Sequence, residues 1–296
     1  MSLTSLLKNK DVREKFKQEF PKPKFTEKKE LLAPPLTKHW SVVGTAFDYL
    51  FRCYLKRLNP KAVERQWVAE ESLKVLFMHR NGFTIDLATG EVMVEPPLMP
   101  DKADVTMFLK IKHILSEAHN RYQAYLKTGK ITKPLLTSAI LLANFDIIFR
   151  TGRLEYYVEP DTVSDEDIKD LANLIRIIDS NLFKAKKICM LNPTFGEAST
   201  LFGGADADIV IDNAIIDIKT TRKLQLTRDY YHQLIGYYTL YKIGGIDSMP
   251  AKHKIENLAI YFSRYAYLYV VPVKGHINKV TSSTFLKWFK ERAQTP

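Results

Sequence analysis

Three side chains set the chemistry on offer: Asp208 and, nine residues on, Asp217 and Lys219 in the triplet Asp217-Ile218-Lys219. They lie in GGADADIVIDNAIIDIKTT, residues 203–221, where Asp212-Asn213 reads as a two-residue turn because both residue types tolerate the positive φ of tight hairpins. That turn makes Ile211 face Ala214, Asp208 face Asp217 and Asp206 face Lys219. Side chains alternate along a strand, so Asp206, Asp208, Asp217 and Lys219 emerge on one face, and Ile209, Ile211, Ala214, Ile216 and Ile218 on the other. Opposed carboxylates repel, and a cation must relieve them. Lys219 supplies part of that charge, and two converging carboxylates also form a hard oxygen site suited to Mg²⁺ or Mn²⁺, with the backbone carbonyl of Ile218 as a further ligand. Phosphodiester hydrolysis uses such a set: the cation neutralises phosphate and activates water, and a second positive group faces the developing charge. The tamer alternative is a solvated strand end where Asp208 pairs with Lys219.

The elements that must hold this hairpin can be read around it. ICMLNPTF, ADADIVID and AIIDIKTT are short, β-branched and partly alternating, and predict three successive strands after Lys187. A helix over 227–243, stopped by Gly244-Gly245, comes next, then strands in LAIYFSRY and AYLYVVPV and an amphipathic helix over 282–292. Upstream the chain reads as helical: 11–20, a helix from near Gly44 to Leu58, then 61–77, 103–126, 134–149, and one from the Ser164 cap to about Lys184. The expected organisation is a basic, proline-rich arm over 1–40 and one domain over 41–296, with a helical insertion at about 100–186 and a catalytic α/β core at about 187–275.

These residues resemble the PD-(D/E)XK nuclease superfamily, whose pattern is matched by Asp208 and the Asp217-Ile218-Lys219 triplet. The strand and helix order is similar to that family's core. Gln233 and Tyr237 in QLIGYY resemble the QxxxY motif of its RecB-like branch, and their i,i+4 spacing puts them on one helical face. Gly44-Thr45-Ala46-Phe47-Asp48 resembles the upstream G-x-x-x-H segment, with Asp48 in the histidine position. The resemblance covers about residues 41–58 and 187–272. It implies an α/β (α+β), restriction-endonuclease-like core with a central mixed sheet flanked by helices, and a metal held by Asp208, Asp217, Ile218 and Asp48. Glu117 and Glu197 are the rivals for the upstream acidic position. It further implies that Lys219 orients water or stabilises the transition state, and that Gln233 and Tyr237 position DNA or the catalytic groups. Several RecB-like nucleases hold an iron–sulfur cluster on four cysteines; this chain has two, Cys53 and Cys189, and no cluster is expected.

The remaining chain narrows the reading. Lys and Arg number 44 against 33 Asp and Glu, a net charge of +11 that favours a polyanionic partner. Arg222, Lys223, Arg228 and His232 flank the helix after the triplet, where they could grip phosphates, and its tyrosines could stack on bases, although most read as core. His113 and His119 are poorly spaced for a shared helical metal site. The best apolar stretch, Ser138 to Phe149, is broken by Asn144 and Asp146, short of the roughly 18 residues a span needs. With no signal-like N-terminus, the expectation is an intracellular, cytoplasmic protein with no membrane contact. The expected activity is a Mg²⁺- or Mn²⁺-dependent deoxyribonuclease on single- or double-stranded DNA, exonuclease in preference to endonuclease, in a repair, recombination, phage or defence setting. With no helicase motif, the chain resembles a stand-alone nuclease, or a nuclease subunit supplied to a separate helicase or other repair or defence partner. The alternative is a nucleic-acid-binding or scaffold protein that keeps the fold without catalysis.

Overall fold

Short β-branched runs cannot bury themselves, and those that follow Lys187 do so by joining one sheet. A computed structural model describes residues 2–73, 83–85, 92–94, 102–151, 157–277, 280 and 282–294. Its helices are α1 (Leu3–Leu6), α2 (Lys10–Glu19), α3 (Trp40–Leu58), α4 (Lys102–Thr128), α5 (Lys133–Thr151), α6 (Asp165–Arg176), α7 (Glu197–Leu201), α8 (Arg228–Gly244) and α9 (Ser283–Gln294). Residues 68–73 are also helical. The strands are β1 (Val63–Glu64), β2 (Phe83–Ile85), β3 (Val92–Val94), β4 (Cys189–Leu191), β5 (Ile209–Ile211), β6 (Ala214–Lys219), β7 (Asn257–Phe262) and β8 (Tyr267–Pro272).

Contacts divide the chain into two units: Met1–Leu31, Lys61–Arg65 and Asp179–Pro296 in one, Leu32–Pro60 and Gln66–Ile178 in the other. The first is an α/β unit around a six-stranded mixed sheet in the order β1-β4-β5-β6-β7-β8. The pairs β1/β4 and β6/β7 are parallel and the rest antiparallel. Parallel β6 and β7 need a crossover, and α8 supplies it. Thr227 caps α8, its hydroxyl accepting from the Tyr230 amide at 3.1 Å. The helix ends as expected, for two different reasons. Gly245 has φ +76°, while a Cβ on Gly244 would stand 2.1 Å from the Phe195 carbonyl oxygen.

One face of this sheet packs Met190, Val210, Ile215, Leu258 and Ile260 into a core with α8. On the other face Ile209, Ile216 and Tyr261 are also buried, the last against the Phe183 ring at 4.8 Å. Helices α1 and α2 belong to the first core: Leu3, Leu6, Val12 and Phe16 are buried, and Phe16 meets the rings of Phe20, Phe285 and Phe289. The stretch expected as an arm is therefore core-forming over its first twenty residues. Beyond it, Phe25 packs on Tyr269 at 4.9 Å and Lys22 donates to the Leu226 carbonyl at 3.0 Å.

The second unit is mainly helical, with contacts among α3, α4, α5 and α6 and a small antiparallel β2/β3 pair. Asn144 and Asp146, which interrupt the apolar run of α5, are buried yet satisfied. Asn144 donates to the Ile140 carbonyl at 3.0 Å, and Asp146 accepts from Tyr49 at 3.0 Å and Arg150 at 2.6 Å. Among the described residues no helix is long and apolar enough to cross a membrane.

Several boundaries differ from expectation. The helix read over 61–77 begins later, because Val63 and Glu64 pair in parallel with Met190 and Leu191; residues 74–77 lie outside the described ones. The helix read from Ser164 to Lys184 ends at Arg176, and a separate 3₁₀ turn forms at Ser180–Phe183 under an Asp179 cap. Lys61–Arg65 belongs by its contacts to the unit that holds the sheet.

Candidate active site

The hairpin turn is where the expected register begins, and its chemistry explains why it holds. Asp212 sits at φ +47°. Its Oδ1 accepts from the amides of Lys187 at 2.7 Å and Ile188 at 3.2 Å, and Oδ2 from that of Lys186 at 3.0 Å. Asn213 donates through its side chain to Glu256 at 2.7 Å. The ladder then pairs Ile211 with Ala214, Val210 with Ile215 and Ile209 with Ile216. This is the register read from the sequence, carried one step short of Asp208 and Asp217. Past Ile209 the chain stays paired on its other side, with the Asn192 amide donating to the Asp208 carbonyl at 2.9 Å. Asp208 instead turns its carboxylate to the neighbouring strand and accepts from the Ile218 amide at 2.6 Å.

Asp217 is 1% exposed, in the middle of the sheet. Lys219 donates to its Oδ1 at 2.9 Å and stands 2.7 Å from its Oδ2, an ion pair outside hydrogen-bond geometry. The same ammonium donates to Gln233 Oε1 at 2.9 Å, and Gln233 Nε2 donates to the Tyr237 hydroxyl at 2.8 Å. Lys219 also lies 5.1 Å over the Tyr230 ring. Asp217, Lys219, Gln233 and Tyr237 thus form one polar chain from β6 to α8, with Asp208 beside it. Each link uses one amide or ammonium donor, which fixes the orientation of the Gln233 side chain.

Burial pushes the Asp217 carboxyl up to about 7; Lys219 opposes the rise and Asp208 adds to it. Burial works against the Lys219 charge, but Asp217 and Asp208 outweigh it and hold its pKa above the ordinary lysine value. Burial, followed by Asp208, Asp217 and Asp206, raises Tyr237 well above the usual phenol value. Tyr237 therefore stays a phenol and keeps a proton to donate. Its ring stacks on Phe195 at 5.9 Å.

The other expected site residues each have surroundings of their own. Arg222 and Lys223 are exposed in the loop after β6, and the Arg222 carbonyl accepts from Tyr265. Arg228 opens α8, and its Nη1 is buried without a hydrogen-bond partner. His232 does not belong with these cations: it is 1% exposed, and burial, followed by the nearby Arg228 charge, lowers its pKa to about 4. It is a neutral ring packed against Phe16 at 5.5 Å. Asp48 lies on α3 of the helical unit, where Arg52 donates to its carboxylate at 2.7 Å. Glu117 pairs with Arg121 on α4, and Glu197 is the exposed first residue of α7. His119 stacks on Trp67 at 4.0 Å and meets Glu70 at 2.5 Å. Sequence reading missed the Asp212 carboxylate as the brace of the turn and Tyr230 as the ring beneath Lys219. An Asp at a turn was a signal for the first; the second needs the crossover angle of α8.

In donor type the pair Asp208 and Asp217 suits a hard divalent cation, and Asp217 Oδ2 is a buried oxygen with no hydrogen bond. Among the described residues no third His, Cys, Asp or Glu joins them. No family model, curated protein or solved structure matches the chain.

Proposed function

We propose that this protein is a Mg²⁺- or Mn²⁺-dependent nuclease of the PD-(D/E)XK, RecB-like type, hydrolysing phosphodiester bonds in DNA. The observation that carries the reading is the polar chain Asp217–Lys219–Gln233–Tyr237, with Asp208 held beside it by the Ile218 amide, all five residues having been singled out by motif. When bound by Asp208, Asp217 and the Ile218 carbonyl, the cation would neutralise phosphate charge and acidify water. Lys219 would then face charge developing on a phosphate oxygen. Gln233 holds the ammonium in line, and Tyr237 offers a phenolic donor that stays protonated.

One observation favours a second reading, a nucleic-acid-binding protein without catalysis. Both Asp217 oxygens already lie within 2.7 to 2.9 Å of the Lys219 ammonium, an arrangement in which the buried carboxylate is neutralised without a metal. Digestion of labelled linear and circular DNA with Mg²⁺ or Mn²⁺ separates the two, with Asp217→Ala and Lys219→Ala as controls. Cleavage by wild type and its loss in both variants supports the nuclease. Equal cleavage by all three overturns the site, and binding with no cleavage by any favours the second reading.

A further inference from the structure

At the hairpin-turn end of β6, opposite the end that carries Lys219, the α/β unit has a cavity of about 470 Å³ edged by Lys186, Lys187, Lys252 and Lys254. Asn213, which lines it, and Lys219 are six residue steps apart along the chain, roughly 20 Å at the usual rise per residue. All four lysines are exposed, and none makes an ion pair with a described carboxylate. Two carboxylates do line the cavity, but both are already engaged: Asp212 by the amides of 186–188, Glu256 by the Asn213 side chain.

The walls are braced before any ligand arrives. The Asp212 amide donates to the Ile188 carbonyl at 2.9 Å, and the Glu256 and Asn257 amides donate to the Asn213 carbonyl at 2.8 and 3.0 Å. His253 Nε2 meets the Asp212 carbonyl at 2.6 Å, which ties the 250–256 loop to the turn. Four exposed lysines around one braced hollow repel one another, and an anion with several oxygens relieves them all at once. Lysine ammoniums are point charges suited to phosphate. Unlike a carboxylate, a phosphate group can meet donors on several sides.

We propose that this cavity binds phosphate groups, as a site separate from the Asp208, Asp217 and Lys219 cluster. Two sources share that chemistry: the backbone of a nucleic-acid strand and a free polyphosphate. Tripolyphosphate titrated into the full chain by calorimetry in EDTA tests the site, beside the variants K186Q/K252Q/K254Q and Lys252→Glu. Circular dichroism checks that these surface changes leave the fold intact. The expected result is saturable binding to wild type, weakened at least tenfold in the triple variant and severalfold in Lys252→Glu. A fluorescein-labelled single-stranded oligonucleotide that tripolyphosphate displaces from wild type, and that the triple variant binds at least tenfold more weakly, identifies the strand as the source. An oligonucleotide that tripolyphosphate does not displace identifies free polyphosphate. No binding of tripolyphosphate to wild type, or equal binding to wild type and variants, overturns the site. EDTA excludes hydrolysis, so this outcome is independent of the digestion assay.

Discussion

Lys219 touches both Asp217 oxygens, the Gln233 amide and the Tyr230 ring, so one side chain sets the electrostatics of the whole cluster. Replacing it with Gln keeps a polar side chain but removes the charge that would face phosphate in the proposed reaction. DNA hydrolysis is expected to fall by about 10²–10³-fold, as for loss of one preorganised electrostatic group. Gln233 acts through Lys219, so Gln233→Ala is expected to lower kcat by roughly tenfold or more with KM little changed, since misplacement of a catalytic group alone carries such a cost. Steady-state kinetics reads that split, and Gln233→Glu, which keeps the acceptor, should recover part of it. Asp217 supplies a pH test. Its folded pKa, raised by burial to about 7, exceeds the unfolded value near 3.9, so the folded state binds the extra proton between them. The stability from burying it neutral is present at low pH and is lost as pH rises through 7. In metal-free buffer the Tm of wild type should therefore fall relative to Asp217→Asn from about pH 4 to about pH 7, and level off above. A constant difference would remove burial as the dominant influence on this carboxyl.

At the scale of the element, the hairpin works as a register device. Asp212 combines a left-handed backbone with a carboxylate that three amides hold, so Asp212→Ala should destabilise by about 2–4 kcal/mol, with Asp212→Asn intermediate. Urea midpoints measure both. A glycine inserted between Asp212 and Asn213 should be worse for activity than for folding. One added residue offsets the pairing that sets Asp217 and Lys219 toward Asp208 and α8. Retained hydrolysis in that insertion variant would show that the pairing is not what assembles the site. How legible these elements were follows the range of the forces involved. Turn chemistry and strand alternation act within a few residues, and both gave the 209–216 pairing from the sequence. Val63 and Glu64 look helical locally and become a strand only because Met190 and Leu191 offer a parallel edge.

For the whole molecule, the N-terminal segment is the sharpest test of how the α/β unit is held. Phe16 is fully buried among Phe20, Phe285 and Phe289, and Phe16→Ala should cost about 3–5 kcal/mol. That is a large share of the stability of an ordinary domain. Removing residues 1–20 would expose the α8 face of the core as well, and limited proteolysis should then cut within 179–296 where the full chain resists. Resistance after truncation would mean that these helices cover the core without supporting it.

The sequence by itself determined the local: the turn at Asp212-Asn213, the pairing of β5 with β6, the helix α8, the shared strand face of Asp217 and Lys219, and the shared helical face of Gln233 and Tyr237, two residues singled out by their resemblance to a motif. These rest on φ preference, alternation and i,i+4 spacing, which neighbouring residues fix. Tertiary structure alone decided what those groups touch. Packing α8 across β6 delivers Gln233 and Tyr230 to the Lys219 ammonium, burial lifts Asp217 to about 7, and a long-range fit draws Phe16 and Val63 into the α/β unit. Contacts between residues far apart in the chain depend on how whole elements cross, and no single segment carries that information.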